Sequence, residues 1–230
     1  MRTWTNMAWP DDPYRTGQQL YPRPGPRLAS FATGTPPAHG SQAARSAAIV
    51  YLPLHRTRTL AVAGPTLTFG FRAASITGQA EADDLAALAD LDLIQARRHA
   101  AILTGCMLGG ELAGLQMAAE ITLRGLAAVQ AEWSSRHTSA RGKADMFDCP
   151  ADLPGHPSLD EACQQAHLAR SDHQIAGLDE AAAAGLTAAM VVERALVVAL
   201  ICARHLGRYT WEGRLNIGDL MTASTWDCLP

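Results

Sequence analysis

The residues able to do chemistry are scattered, and most of their spacings suit packing as well as function. Cys106 sits in the turn Gly105-Cys-Met-Leu-Gly-Gly110, between an apolar run and a helical pattern. A thiol at a helix start can be activated by the free N–H groups there. The same turn could cradle an anion, but it lacks the lysine and glycine spacing of a phosphate loop. A plain tight turn is the simpler reading. Cys163 and His167 stand four apart on a helical pattern with His173 nearby, and Cys202 and His205 stand three apart. Either face could hold a metal, although a buried thiol beside a surface or helix-end imidazole needs none. Asp145 and Asp148 flank Met-Phe on a strand pattern, and that spacing sends them to opposite faces. A paired acid/base role is therefore disfavoured, and Asp148 is expected to cap the following turn. Arg204, Arg208 and Arg214 interleave with Tyr209 and Trp211. This suits stacking on single-stranded nucleic acid, and equally a solvated helix end with docked aromatics. Arg97-Arg98-His99 reads as a solvated helix terminus.

The elements that would position these groups follow from patterning. Residues 1–27 read as an irregular arm, because Pro10, Pro13, Pro22, Pro24 and Pro26 oppose regular structure while Trp4, Trp9, Tyr14 and Tyr21 supply apolar anchors. Strand patterns follow at 28–33, 48–52, 59–63 and 67–71, with a loop from Thr35 to Ser41; turn residues between the last three runs suggest an antiparallel meander. A helix is expected over 81–98, acidic early and basic late. A short strand is expected at 101–104. A long helix then runs toward Trp133 on the stripe Leu108, Leu112, Leu115, Ala119, Thr122, Leu126, Val129 and Trp133. A polar loop spans 134–143, and a strand spans 144–149. Ser158-Leu-Asp-Glu161 is a capping box opening a helix to about Ala169. The helix near 180–206 is apolar almost all round, so it should be buried on several sides, with Gly207 closing it. Strands first and alternating helices afterwards predict an α/β fold with a mixed sheet flanked by helices.

Composition bounds the function classes. The chain has 230 residues, 48% of them hydrophobic, enough for a sizeable core. The formal charge of −3 argues against a protein that seeks polyanions by net charge alone, and leaves a local basic groove open. The five cysteines are odd in number and irregularly spaced, as expected of buried thiols in a reducing cytoplasm. Glu193-Arg194 interrupts the most apolar stretch, 181–203, so no membrane span is expected.

The predicted order of elements, and several local stretches, resemble the DnaQ-type (DEDD) 3′–5′ exonucleases of the ribonuclease H-like fold. Phe31-Ala-Thr-Gly-Thr35 falls where that family has a first-strand Asp-x-Glu followed by Thr. The segment from Leu103 to Leu115 resembles the second motif. Met146-Phe-Asp-Cys149 with Ser158-Leu-Asp-Glu-Ala-Cys163 resembles the next strand and helix, and Val192 to Leu200 the last motif helix. The resemblance covers 28–206, after the arm; the tail, 207–230, carries Tyr209, Trp211 and Trp226 and is expected to dock on that domain.

The resemblance also implies a site of four carboxylates and two divalent metals. Here the first two acids fall on Ala32 and Gly34, the second-motif acid on Glu111 and the last on Arg194, with Ala189 where a His or Tyr would stand. Taking Glu193 as the last acid shifts the apolar register that follows. Hard cations want several oxygen ligands, so the expected protein is a degenerate, non-catalytic relative with no cofactor. Thr33, Cys106 and Arg194 would then face a bound single-stranded DNA or RNA 3′ end. Two alternatives stand beside it. One is a scaffold or regulatory protein using the fold for protein contacts, with the aromatic arm meeting a partner. The other is an active exonuclease using Mg or Mn with divergent motifs. If the register holds, Glu111 and Arg194 should face each other as a charge-assisted pair. Val50, Leu52, Val62, Phe69, Ile102, Leu103, Met146 and Phe147 should mostly be buried.

Overall fold

A computed structural model describes residues 1–6, 26–34, 45–63, 67–136, 144–155, 157–171 and 180–225. The elements in chain order are β1 (Arg2–Thr5), β2 (Arg27–Gly34), β3 (Ser46–Pro53), β4 (Leu60–Ala61), β5 (Gly70–Ser75), α1 (Ala82–His99), β6 (Ile102–Gly105), α2 (Leu108–Ala118), α3 (Arg124–Ser134), β7 (Asp145–Asp148), α4 (Leu159–Gln165), β8 (Leu168–Ala169), α5 (Glu180–His205), β9 (Tyr209–Thr210), β10 (Leu215–Asn216) and α6 (Ile217–Thr225).

Six strands form one mixed sheet in the order β1-β5-β3-β2-β6-β7. The β1, β5, β3 and β2 pairings are antiparallel, whereas β2, β6 and β7 run parallel. Strands β2 and β3 are apolar or small at nearly every position, as strands covered on both faces must be. Their alternation divides two cores. Leu28, Ala32, Val50, Leu52, Phe71 and Ala73 pack on the side of α5. Ala29, Phe31, Ile49, Tyr51 and Ala74 pack on the side of α1, α2 and α3. The α/β class and the helix-flanked mixed sheet are as the sequence predicts. Of the eight expected core residues, six are buried, while Met146 and Phe147 on the edge strand β7 are half-buried.

Helix α5 is the element on which the sheet rests. Its apolar stretch, Ala182–His205, is long and apolar enough to cross a membrane, but 83% of the 18-residue apolar window within it is buried inside the protein. It ends in a Schellman motif: Gly207, at φ 64°, donates its N–H to Arg204 O at 3.0 Å, and Arg208 donates to Ala203 O at 2.8 Å.

Several elements differ from the sequence expectation. Arg2–Thr5 is an edge strand on β5, not irregular arm; Thr5 Oγ1 donates to Phe71 O at 2.7 Å and fixes its end. The meander is β2, β3 and β5. The 59–63 run contributes only β4, which pairs with β9 outside the main sheet. The expected strand at 67–71 begins instead at Gly70. The long helix toward Trp133 is two helices, α2 and α3. Carboxylates of α1 accept N–H groups at and after the break: Asp83 takes Glu120 N–H at 2.7 Å, and Asp90 takes Leu126 N–H at 2.5 Å. The capping box at Ser158 forms as predicted, but α4 ends at Gln165 and the chain turns into β8. The Thr35–Ser41 loop, Trp9, Tyr14, Tyr21, His173 and Trp226 lie outside the described residues.

Helix α5 approaches β2 so closely that a Cβ at Gly34 would lie 2.3 Å from Val191 Cγ2. Valine is stiff at χ1 and cannot swing away cheaply. Gly34→Ala should therefore lower unfolding free energy by about 1–3 kcal/mol, the usual range for overpacking. The check is a fall in urea midpoint at unchanged m-value; an unchanged midpoint would contradict this contact.

Candidate functional site

The parallel strands β2, β6 and β7 end at one edge of the sheet, and the chemistry-bearing residues gather there. Thr33 lies near the end of β2. Cys106 and Met107 follow β6, Glu111 lies in the first turn of α2, Asp148 ends β7, and Arg194 projects from α5.

Glu111 and Arg194 meet. Glu111 Oε1 lies 2.8 Å from Arg194 Nη2. The backbone of Thr33 joins the pair on both sides: its N–H donates to Glu111 Oε2 at 3.0 Å, and its carbonyl accepts from Arg194 Nη1 at 3.2 Å. One peptide segment of the central strand thus ties a helix from each layer. Glu111 Oε1 accepts no well-aligned hydrogen bond despite its proximity to the guanidinium. The pair is therefore a close ion contact, not a two-toothed fork. The Arg194 thiol neighbour is Cys106, and the guanidinium lowers that thiol's pKa in part.

Burial dominates the titration here. It lifts the Glu111 carboxyl to about 7, against the lowering effects of Arg194 and the Thr33 hydrogen bonds. It also raises the Cys106 thiol above its ordinary value, more than Arg194 lowers it. Cys106 is thus a protonated thiol at neutral pH, which removes the reading of it as an activated nucleophile. Asp148 is likewise raised by burial, although Met107 N–H at 2.8 Å and Trp133 Nε1 at 3.3 Å donate to its carboxylate.

Asp148 does not cap its own turn, as the sequence suggested. It holds the left-handed Met107, at φ 53°, at the entrance to α2. Asp152 does the capping instead, accepting Asp148 N–H at 2.8 Å and pairing with Arg136. Neither Trp133 nor Met107 was singled out as a site residue. A non-glycine residue held left-handed leaves no mark in the sequence.

The first-motif positions supply no oxygen ligand. Ala32 points into the core under α5, and at Gly34 even a methyl group meets Val191. Glu193 cannot substitute for Arg194. Its buried carboxylate accepts Ser171 N–H at 2.7 Å, away from the Thr33–Glu111 contact. The carboxylates at this edge are Glu111 and Asp148, one beside a guanidinium and the other engaged by N–H donors. This donor set does not fit a pair of divalent cations. Among the described residues no group of three or more His, Cys, Asp or Glu is placed to hold a metal.

The other constellations come apart. Cys163 is buried, whereas His167 lies beyond the end of α4, exposed and left-handed at φ 54°. Cys202 is buried, while His205 packs on the Phe147 ring, 5.4 Å between centroids. Tyr209 and Trp211 are only 3% and 5% exposed. Tyr209 Oη donates to Pro53 O and Trp211 Nε1 to Ala166 O, with Arg204 stacked 4.5 Å over the indole. These rings are committed to the core and unavailable to bases. Arg97 is not simply solvated, because it clasps Glu132 of α3 through two nitrogens.

Comparisons of this chain with protein-family models, curated proteins and solved structures return no match.

Two expectations follow from the ion pair. Taking two charges from water costs more than their attraction returns, yet removing one partner strands the other. Glu111→Ala should cost about 3 kcal/mol, the low end for a broken buried pair because Arg194 keeps some contact with water. The double change Glu111→Leu with Arg194→Leu should cost less than Glu111→Ala alone, by urea denaturation.

The pH response has a definite sign. Glu111 has a raised folded pKa, so the native state holds the proton that the unfolded chain releases first. Its stability contribution is full below the unfolded carboxyl pKa and is lost as pH rises toward and through about 7. Unfolding free energy should fall between about pH 5 and 8, by an amount on the order of 3 kcal/mol, and Glu111→Gln should flatten that slope. A slope identical in the variant would place the loss elsewhere.

Proposed function

We propose that this chain is a ribonuclease H-like relative of the DnaQ-type 3′–5′ exonucleases. In this reading it has lost the metal centre and binds a nucleic-acid 3′ end without cutting it. The sheet supports the fold: an antiparallel meander, β5-β3-β2, continues into the parallel strands β6 and β7, with helices on both faces.

The observation that carries the reading is the Glu111–Arg194 contact across Thr33. The resemblance put two metal-binding acids at these two positions. A guanidinium now neutralises the remaining carboxylate where divalent cations would otherwise do so. With Gly34 closed by Val191, several oxygen ligands cannot be assembled around a metal-bound water. Arg194 retains a 33% exposed side chain, and guanidinium groups bind phosphate oxygens well. That leaves a means of holding a strand end.

A second reading, a scaffold working through protein contacts, is favoured by the burial of Tyr209 and Trp211, which removes the aromatic platform.

A 5′-labelled oligonucleotide separates these readings. No shortening is expected with Mg or Mn. Binding to a free 3′ hydroxyl should exceed binding to a circularised strand. Its log K should fall with log salt, with a slope of about −0.7 per phosphate contacted. Arg194→Gln should weaken it. Metal-dependent degradation that disappears in Glu111→Ala would overturn the non-catalytic reading, and absence of salt-dependent binding would favour the scaffold.

A further inference from the structure

A cleft of about 400 Å³ opens at the opposite edge of the sheet, where β2, β6 and β7 begin. We propose that it binds a small anionic molecule with a flat apolar body, independently of any function at the Glu111 edge.

The cleft's chemistry is divided. Leu54, Ile102, Phe147 and Leu206 give it an apolar lining. His55, Arg56 and Arg208, also in the lining, supply cationic or N–H donor groups. The two guanidinium groups have no ion-pair or hydrogen-bond partner among the described residues, in contrast to Arg194, Arg97 and Arg136 elsewhere. His55 Nδ1 accepts the N–H groups of Thr57 at 3.2 Å and Arg58 at 3.1 Å. A neutral imidazole so engaged carries its proton on Nε2, leaving that nitrogen as a donor. Asp145, also in the lining, would accept from a hydroxyl or amino group and disfavour a second anion beside it.

The backbone that presents these groups is fixed before any ligand arrives. Leu54 N–H donates to Pro26 O at 2.7 Å, and Asp145 N–H to Ala101 O at 2.9 Å. Thr59 Oγ1 donates to Gly207 O at 2.7 Å, and Leu60 N–H to Arg208 O at 2.9 Å. These bonds join the 54–60 segment to the 206–210 segment, so Arg56 and Arg208 come from two laced strands of chain. The volume suits an aromatic phosphate or carboxylate, since ligand pockets run from roughly 300 to 1,000 Å³. A guanidinium recognises either anion.

The test is calorimetric titration of the full chain with 1-naphthyl phosphate, 1-naphthoate and 1-naphthol. Saturable binding of at least one anion is expected, with 1-naphthol about tenfold weaker or worse. Which of the two anions binds more tightly distinguishes a phosphate from a carboxylate ligand. The double variant Arg56→Ser with Arg208→Ser should weaken binding at least about tenfold at unchanged thermal stability, because both residues are exposed. Arg98→Ser, another exposed arginine, should leave binding unchanged. Neither anion saturating, 1-naphthol binding equally well, or the double variant binding like the parent would overturn the proposal.

Discussion

The close approach of α5 to β2 is the constraint on which the rest depends. At Gly34 the Val191 side chain of α5 lies close enough to the strand to exclude a methyl group. This distance lets Arg194 reach back over the strand to the Thr33 carbonyl. It also forbids an acidic side chain at the same strand end. A tight helix–sheet contact and an oxygen-rich metal site are therefore alternatives at this position. The sequence has the first: a glycine, an alanine-rich helix and an arginine.

The electrostatics follow from that packing. Glu111 lies in a place dry enough to lift its carboxyl to about 7 even with Arg194 beside it. The neighbouring Asp148 is raised for the same reason. Two buried acids raised together would ordinarily suggest acid–base work. Here their contacts argue for a structural role. Asp148 fixes the entrance of α2 through Met107 and anchors Trp133. Glu111 fixes the end of β2 through Thr33. Each charge holds a backbone group that the fold needs in place.

Local patterns made much of this legible in the sequence. Continuous apolar runs marked β2 and β3, the capping box marked α4, and Gly207 marked the end of α5. The Glu111–Arg194 encounter was expected from the resemblance, which implies converging acids at these two positions, one of them replaced here by a base. What escaped reading was set by tertiary partners. Nothing near Ala119 breaks a helix by itself; Asp83 and Asp90 on another helix supply the competing acceptors. Arg2–Thr5 is too short to show a period and is a strand only because β5 offers an edge. Tyr209 and Trp211 sat among arginines as a surface platform would, yet their polar tips find Pro53 and Ala166 carbonyls inside. Composition cannot distinguish an aromatic that displays its face from one that buries it.

The two edges of the parallel strands are opposites in how their charges are satisfied. At the Glu111 edge each charge is matched by another charge or by a backbone group, and helices close over it. Such an arrangement resists reorganisation, and a ligand there would meet only the exposed part of the Arg194 guanidinium. At the other edge, Arg56 and Arg208 stand on a backbone just as firmly laced, but among the described residues their guanidiniums have no ion-pair or hydrogen-bond partner beside the apolar walls. Preorganised groups without internal partners lose little on meeting a ligand. By that criterion the Arg56 and Arg208 edge would meet a ligand without prior rearrangement, whereas at the Glu111 edge only the exposed part of Arg194 remains to meet one.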